Sequence, residues 1–341
     1  MHRRLFGLLT LALCCRAEAV GPALHDPSAI APSPGSLAER IVNAAVAEHR
    51  LFNGHRIDAD GRLWKFGLTE SETDSLHDPE TGDAYPRRSG HFAWRQVWEY
   101  WLSLDHHVPG QARSRKLISV SGLLDGSDTS GTYRETELGR LFDELEGKDD
   151  PASVALRQAA VRAAMNDSPW SAAFISHVMH RAGLSADQFR FASAHWRYIQ
   201  AAFAASDESD YAYRARDPRT TTPRPGDLLC YARGNAPLKT YDAWRTAIES
   251  PGFSIGSHCE VVVHVDLDAA KMEIIGGNVL QSVARRQLKL NEAHGLSDWH
   301  HPDAWSQREK DACRRARPCR KNNLNLQYWS VLLQLKDTAT R

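Results

Sequence analysis

The hydrophobic pattern of this chain changes part-way along from a helical period to a strand period, and this change limits the folds it can adopt. Between Pro151 and Phe203, apolar residues recur at the three- and four-residue intervals of amphipathic helices. From Asp227 onward, short apolar runs separated by turn residues are typical of strands. Helices followed by a series of short strands indicate an α+β fold with an antiparallel sheet.

The predicted elements follow from this pattern. Helices are expected over residues 37–49, 92–104, 152–165 and 171–182, with another through Tyr198 and Phe203. Strands are expected over residues 227–232, 258–266, 271–275, 279–290 and 324–335. In the helix over 92–104, an apolar stripe at helical spacing indicates core packing; its members are Trp94, Val97, Trp98 and Trp101.

The first 19 residues have the parts of a secretory signal peptide. Two arginines precede a short apolar run over residues 5–15, and Ala17 and Ala19 provide the small residues of a cleavage site. The run is about half of the ~20 residues needed to cross a bilayer, so no stable membrane span is expected. The predicted location is the periplasm or the exterior, and lipid attachment at Cys14 or Cys15 is the less favoured alternative.

Composition suggests three parts after the signal peptide. Residues 20–36 are rich in proline, alanine and serine and are predicted to be a linker. Residues 37–150 form a mainly helical N-terminal region that ends in a polar, lid-like loop. Residues 151–341 contain the helix-then-strand pattern and form the main domain.

The charge balance argues against nucleic acid as a partner. The chain has 42 basic and 42 acidic residues and a pI near 7.3, which leaves no electrostatic footprint for an anionic polymer. The histidine pairs at 106–107 and 300–301 have no partners at metal-ligand spacing. We therefore predict neither a metal nor another cofactor.

Four cysteines remain after removal of the signal peptide, and an even number in an exported chain favours disulfides. Cys313 and Cys319 would close a small ring. Cys230 and Cys259 each lie in a predicted strand, so they can pair if these strands are neighbours. Four-cysteine zinc binding is disfavoured because the required CxxC spacing is absent.

Three residues form the candidate catalytic group. Ser171 stands at the start of a helix, where unpaired backbone N–H groups favour negative charge. His258 begins a strand and could face that helix start. Asn278 follows two glycines and could fix the tautomer of the histidine through its side-chain amide. Taken singly, each feature is more often structural: a helix cap, a strand histidine and a turn.

Three further residues are candidates for the surrounding cleft. Trp170 precedes Ser171 directly, and His195 lies near the start of a later helix close to Tyr198. Glu260 comes two residues after His258 and so points to the same face of the strand. It is the reserve group for orienting the histidine.

The fragments PWSAAFI, RPGDLL, GSHCEVVV and IGGN occur in this order in the sequence. Their order resembles the CHAP family and the related NlpC-type cell-wall peptidases, which share a trimmed papain-like fold. The chain is similar still more closely to an uncharacterised bacterial family, domain of unknown function 2272, which has serine in the PWSAAFI pattern. The resemblance covers about residues 169–290. It implies a papain-like fold for the main domain and places Ser171, His258 and Asn278 at the active-site positions.

The main departure is the nucleophile, because the CHAP and NlpC relatives use cysteine where this chain has Ser171. A serine hydroxyl needs a general base during attack, whereas a cysteine attacks as its thiolate. The resemblance thus implies an exported hydrolase of peptide or amide bonds, with peptidoglycan or another cell-envelope polymer as substrate. The alternatives are a lipid esterase or acyltransferase of the same fold, and a non-catalytic module that binds the cell wall.

Overall fold

The computed structural model describes residues 29–71, 93–112, 147–234, 238–304 and 323–337. The predicted signal peptide, most of the predicted lid-like loop and the proposed Cys313–Cys319 pair lie outside these residues. The described part combines helices with a large open sheet, as expected for an α+β protein.

Six α-helices are found in the described residues: α1 (Leu37–Leu51), α2 (Ala93–Asp105), α3 (Pro151–Asp167), α4 (Ser171–Arg181), α5 (His195–Ala204) and α6 (Tyr241–Ile248). Nine strands form the sheet: β1 (Ala29–Ile30), β2 (His55–Ile57), β3 (Leu63–Lys65), β4 (Tyr213–Arg216), β5 (Leu228–Ala232), β6 (Ser257–Asp266), β7 (Lys271–Val279), β8 (Ser282–Lys289) and β9 (Trp329–Leu335). The sequence pattern predicted five of these helices. It missed α6 and the short strands β1 to β4.

Local signals in the sequence fix the ends of several helices. The Ser36 hydroxyl accepts a hydrogen bond from the backbone N–H of Glu39, so the predicted cap of α1 is present. Asp150 caps α3 in the same way, and Pro151 occupies the first turn, where no N–H is needed. Gly183 follows α4 with a φ of +87°, a left-handed conformation that glycine adopts at low cost.

The strands lie in the order β3-β2-β8-β7-β6-β5-β9-β4. All pairs are antiparallel except β2 with β8, which is parallel, so the expectation of a wholly antiparallel sheet needs correction. The parallel pair arises because β2 comes from the N-terminal part of the chain and joins the sheet beside β8. β1 pairs with the far end of β6, at Val265 and Asp266, beyond the last residue that pairs with β5.

The boundary predicted at residues 150 and 151 does not separate two cores. Three strands from the N-terminal part belong to the same sheet as the later strands. Leu37 and Ile41 of α1 and Trp101 of α2 share one buried cluster with Phe174 of α4 and Leu333 of β9. Residues 29–36, expected in a linker, include β1 and the cap of α1. The described residues therefore form one body around one sheet.

Both faces of the central strands are buried. Leu228 and Cys230 of β5 face the helices, whereas Leu229 and Tyr231 belong to a second cluster on the opposite face. Burial on both faces explains why β5 reads as a continuous apolar run instead of an alternating one. The helices on the first face bring the start of α4 against β6 and β7, where the candidate site lies.

None of the described helices combines the length and the apolar character that crossing a bilayer requires.

Candidate active site

Ser171 is the first residue of α4 and lies at the centre of the site. Its N-terminal neighbour Trp170 occupies the cap position, and no side chain caps this helix end. The first hydrogen bond in this turn runs from the N–H of Phe174 to the carbonyl of Trp170, so the N–H groups of Ala172 and Ala173 have no carbonyl partner within the helix. These groups favour negative charge beside the Ser171 hydroxyl.

The hydroxyl of Ser171 contacts His195, the first residue of α5. Its Oγ lies 2.7 Å from Nε2 of His195, and Nδ1 of the same ring is hydrogen-bonded to the hydroxyl of Tyr198. His195 and Tyr198 are three residues apart on one helix, which places their side chains on the same side. The three side chains form a continuous chain of neutral groups, which we call the neutral chain.

This arrangement corrects the expectation that Ser171 pairs directly with His258. The two histidine rings are neighbours, with centroids 5.1 Å apart, but both nitrogens of His258 have other partners. The guanidinium of Arg233 donates to Nδ1 of His258 at 2.8 Å, and Nε2 lies 3.2 Å from Oε1 of Glu260. Because arginine can only donate, Nδ1 must be the acceptor, and the hydrogen of a neutral His258 is on Nε2.

Glu260 and Arg286 complete a second group of side chains, which we call the charged cluster together with His258 and Arg233. Arg286 donates through Nε to Oε2 of Glu260 at 2.9 Å and approaches Oε1 at 2.8 Å. His258 and Glu260 are fully buried, and Arg286 is nearly so. A bidentate contact of this kind satisfies both oxygens of a buried carboxylate. The reserve group named from the sequence, Glu260, is thus the residue that contacts His258.

Asn278 does not contact His258 in the structure. It has a φ of 55° and lies in the irregular stretch of β7 between Gly276 and Val279, where the strand register shifts. The two nitrogens of His258 are instead contacted by Glu260 and Arg233.

The two glycines before Asn278 are required by close packing. A Cβ atom on Gly277 would lie 2.5 Å from the side chain of Phe174, and one on Gly276 would lie 2.5 Å from that of Glu260. Both distances are too short for real contacts. Gly277 thus allows β7 to pass directly beneath the start of α4, and Gly276 leaves room for the side chain of Glu260.

Trp170 lies in the core and not on the wall of a cleft, which corrects the sequence-based expectation. Its side chain is fully buried, and its Nε1 donates to Oε2 of Glu70 at 2.6 Å. Its ring stacks on Phe52 with centroids 5.9 Å apart, and Tyr100 packs at 5.6 Å. The tryptophan anchors the start of α4 to the N-terminal helices.

Burial controls the protonation of the site. It lowers the pKa of His195 well below the ordinary value of 6.5, and the neighbouring His258 and Arg233 lower it further. Burial also lowers the pKa of His258, with Arg233 and Arg286 adding to the effect. Both imidazoles are therefore neutral at pH 7. Burial raises the pKa of Glu260 above its ordinary value, and the charges of Arg286 and Arg233 oppose the rise.

The site is nearly closed to solvent. Ser171 and His195 each expose 4% of their surface, and His258 exposes none. Within the described residues, Ser171 is therefore not at the surface of an open cleft, and a substrate can reach it only if neighbouring groups move.

A disulfide joins the two strands beside the site. Cys230 of β5 and Cys259 of β6 are directly opposite each other, and their Cα atoms are 4.1 Å apart. This is the predicted Cys230–Cys259 bond. Cys259 and His258 are neighbours on a strand, so their side chains point to opposite faces, and the disulfide lies on the helix side of the sheet.

Within the ranges that the structure describes, no group of three or more histidine, cysteine, aspartate or glutamate side chains converges to hold a metal ion.

One protein family matches most of this chain. A model of the family described as "Uncharacterized protein conserved in bacteria (DUF2272)" matches residues 88–313, more than half of the 341 residues. The chain belongs to this family. The matched range contains all members of the neutral chain and of the charged cluster, whereas α1, β1 to β3 and β9 lie outside it. No curated protein and no solved structure matches the chain.

The sequence named His195 as a cleft residue but not as the partner of Ser171. A local signal for the partnership was present, because Tyr198 follows His195 at a spacing of three residues in a predicted helix. A histidine at the start of a helix and a tyrosine one turn later can share a hydrogen bond through Nδ1, which leaves Nε2 free to face another element.

Proposed function

We propose that this member of the family is an exported hydrolase that forms an acyl-enzyme on Ser171. The observation that carries the proposal is the 2.7 Å contact between Oγ of Ser171 and Nε2 of His195 at an uncapped helix start. A nucleophile in hydrogen-bond contact with a base, and a base in contact with a third group, is the arrangement that activates a serine hydroxyl. Here Tyr198 is the third group.

The protons can be followed through each step. In the reactive tautomer, Nδ1 of His195 carries the hydrogen and donates to Tyr198, so Nε2 accepts the proton of Ser171. The Ser171 oxygen bonds to the carbonyl carbon, and the helix-start N–H groups hold the negative oxygen. His195 then returns the proton to the leaving nitrogen or oxygen as its bond to carbon breaks. Water repeats the cycle and releases the acid.

The proposed substrate is a peptide or amide bond in the cell envelope, with peptidoglycan first. Support comes from the resemblance of the PWSAAFI, RPGDLL, GSHCEVVV and IGGN fragments to CHAP and NlpC-type enzymes. A fold does not fix a substrate, so the ester bonds of lipids remain the second class to assay. Serine suits esters, because an alkoxide leaves more readily than an amine.

One observation favours a different class of function. Ser171 is almost fully buried, and both nitrogens of His258 are occupied. A module that keeps the fold and binds the cell wall without cleaving it would have these properties. The Ser171–His195 contact predicts that a serine-directed probe reacts with Ser171. The closed site predicts that it does not.

A fluorophosphonate probe decides between them. We expect the full-length protein to form a covalent phosphonate adduct on the peptide that contains Ser171, and Ser171→Ala to form none. The matched control is Ser176→Ala on the same helix, because Ser176 is also buried and donates to the carbonyl of Ala192. It should label like the parent protein. Absence of any adduct, together with peptidoglycan binding that survives Ser171→Ala, would establish the binding module.

A further inference from the structure

Arg233 is the point where the candidate site meets solvent. It follows the last residue of β5 and is exposed, whereas the residue it contacts, His258, is fully buried. The guanidinium donates one N–H to Nδ1 of His258 at 2.8 Å and lies over Tyr231, 5.9 Å from the ring centre. A charged group thus covers the buried histidine from the outside.

The two arginines of the charged cluster differ in their partners. Arg286 forms a bidentate pair with Glu260, so its charge is balanced within the protein. Among the described residues, no ion pair joins Arg233 to a carboxylate, and its side-chain acceptors are two neutral groups, the ring of His258 and the hydroxyl of Tyr231. A guanidinium has five N–H donors, and its preferred partner is an anion with two oxygens in one plane. Arg233 is exposed, so the remaining N–H donors of its guanidinium can reach a ligand from solvent.

The charge on Arg233 is close to the reacting groups. His258 links it to His195, since the two imidazole centroids are 5.1 Å apart, and Ser171 follows at 2.7 Å from His195. A molecule bound to Arg233 would therefore be separated from the Ser171–His195 pair by the ring of His258. A single guanidinium balances one negative charge, which fits a carboxylate better than a doubly charged phosphate.

We propose that Arg233 binds a carboxylate on the acyl side of the substrate bond to be cleaved, so that the enzyme selects acidic acyl groups. This inference rests on the proposed hydrolase function. The carboxylate competes with Nδ1 of His258 for the guanidinium, because a charge-assisted hydrogen bond is stronger than one to a neutral ring. Binding therefore draws Arg233 away from His258 and changes the hydrogen bonding of that ring.

The test uses two fluorophosphonates of equal size, one ending in a carboxylate and the other in a carboxamide. We expect the carboxylate probe to label Ser171 about 10- to 100-fold faster, the range set by hydrogen bonds to charged groups. Arg233→Gln should remove this preference, and Arg233→Lys should keep part of it because the charge remains. The matched control is Arg245→Gln, since Arg245 is an exposed arginine that pairs with Asp242 on α6. It should leave the preference unchanged.

The outcomes separate this inference from the proposed function. Labelling by both probes at equal rates, or a preference that survives Arg233→Gln in folded protein, overturns the carboxylate site and leaves the hydrolase in place. If neither probe labels Ser171, the hydrolase fails. Binding of N-acetylglutamate, compared with its diamide and followed through the ¹⁵N signals of His258, then tests the site without chemistry. Saturable binding of the acid that is lost in Arg233→Gln supports the site, and equal responses to acid and diamide overturn it.

Discussion

The neutral chain and the charged cluster lie side by side but hold their histidines in opposite ways. His195 is bonded by two hydroxyl groups, those of Ser171 and Tyr198, and neither carries a charge at neutral pH. His258 is bonded by the cation Arg233 and the anion Glu260. Both rings are buried, so the difference arises from the partners and not from exposure.

This difference determines which histidine can move a proton. A hydroxyl can either donate or accept, so both tautomers of His195 satisfy the neutral chain. Neutral His258 has one tautomer, because Arg233 cannot accept a hydrogen bond and Nδ1 must therefore be the acceptor. Protonation of His258 would also direct a new N–H at the Arg233 guanidinium. His195 is thus suited to act as a base, whereas His258 holds the surrounding structure.

The largest expected effect separates the two histidines. His195→Gln should reduce the rate of Ser171 labelling by about 10²- to 10⁴-fold, the usual contribution of a general base. His258→Gln should reduce it by less than about tenfold, because a glutamine oxygen can still accept from Arg233 at the cost of one weak hydrogen bond. Labelling rates of the two variants, with thermal unfolding to confirm their folding, measure the difference. The reverse order would show that His258 is the base, as the sequence predicted.

A smaller effect is expected on stability, where loss of the Arg286–Glu260 ion pair should cost more than loss of the Tyr198 hydroxyl. Arg286→Met leaves Glu260 buried without its cation and should cost about 3–5 kcal/mol in the free energy of unfolding. Tyr198→Phe leaves Nδ1 of His195 without a partner and should cost about 1–3 kcal/mol. Denaturant titrations give both values. The double change Arg286→Met with Glu260→Met is the control, because replacing a whole buried pair by apolar residues restores much of the loss. Equal costs for the two single variants would contradict the contrast.

The sequence predicted the elements of the site better than their contacts. The helix that begins at Ser171, the strand that begins near His258 and the disulfide between Cys230 and Cys259 follow from local periodicity, spacing and cysteine number. The partner of Ser171 depends on how α5 lies against α4, which periodicity does not specify. Family analogy named His258, because the resemblance carries positions in the chain and not side-chain directions.

The backbone at Asn278 also depends on contacts between distant elements, which local sequence patterns do not specify. Two glycines followed by asparagine suggested a strand end, but β7 continues to Val279 through an irregular stretch. In this stretch Gly277 packs against Phe174 and Gly276 against Glu260, contacts that a local sequence pattern does not reveal. Long-range contacts also explain why the N-terminal part joins the main sheet, since the strands β1 and β2 are too short to be recognised without their partners in β6 and β8.

The smallest expected effect is in the pH dependence of the neutral chain. Burial lowers the pKa of His195 well below 6.5, and His258 and Arg233 lower it further, so Nε2 is already unprotonated at pH 6. We therefore expect the labelling rate of Ser171 to change by less than about twofold between pH 8 and pH 6. An ordinary histidine with a pKa of 6.5 would lose about three quarters of its basic form over that range. Arg233→Gln removes one of the lowering charges, so its decline in rate should begin at a higher pH than in the parent protein.

Unfolding must be followed over the same pH range, because burial of histidines also affects stability. A histidine whose pKa is lowered in the folded state takes up its proton more readily when unfolded, so stability falls as the pH drops below 6.5. Burial lowers the pKa of His49 and His55 to about 4, which adds to the loss between pH 6.5 and 4. Asp227, with its pKa raised to about 7, opposes it over the same interval. A labelling rate that falls with a midpoint near pH 6.5 while the protein stays folded would show that His195 is an ordinary, solvated base, and the neutral chain would then not explain the chemistry.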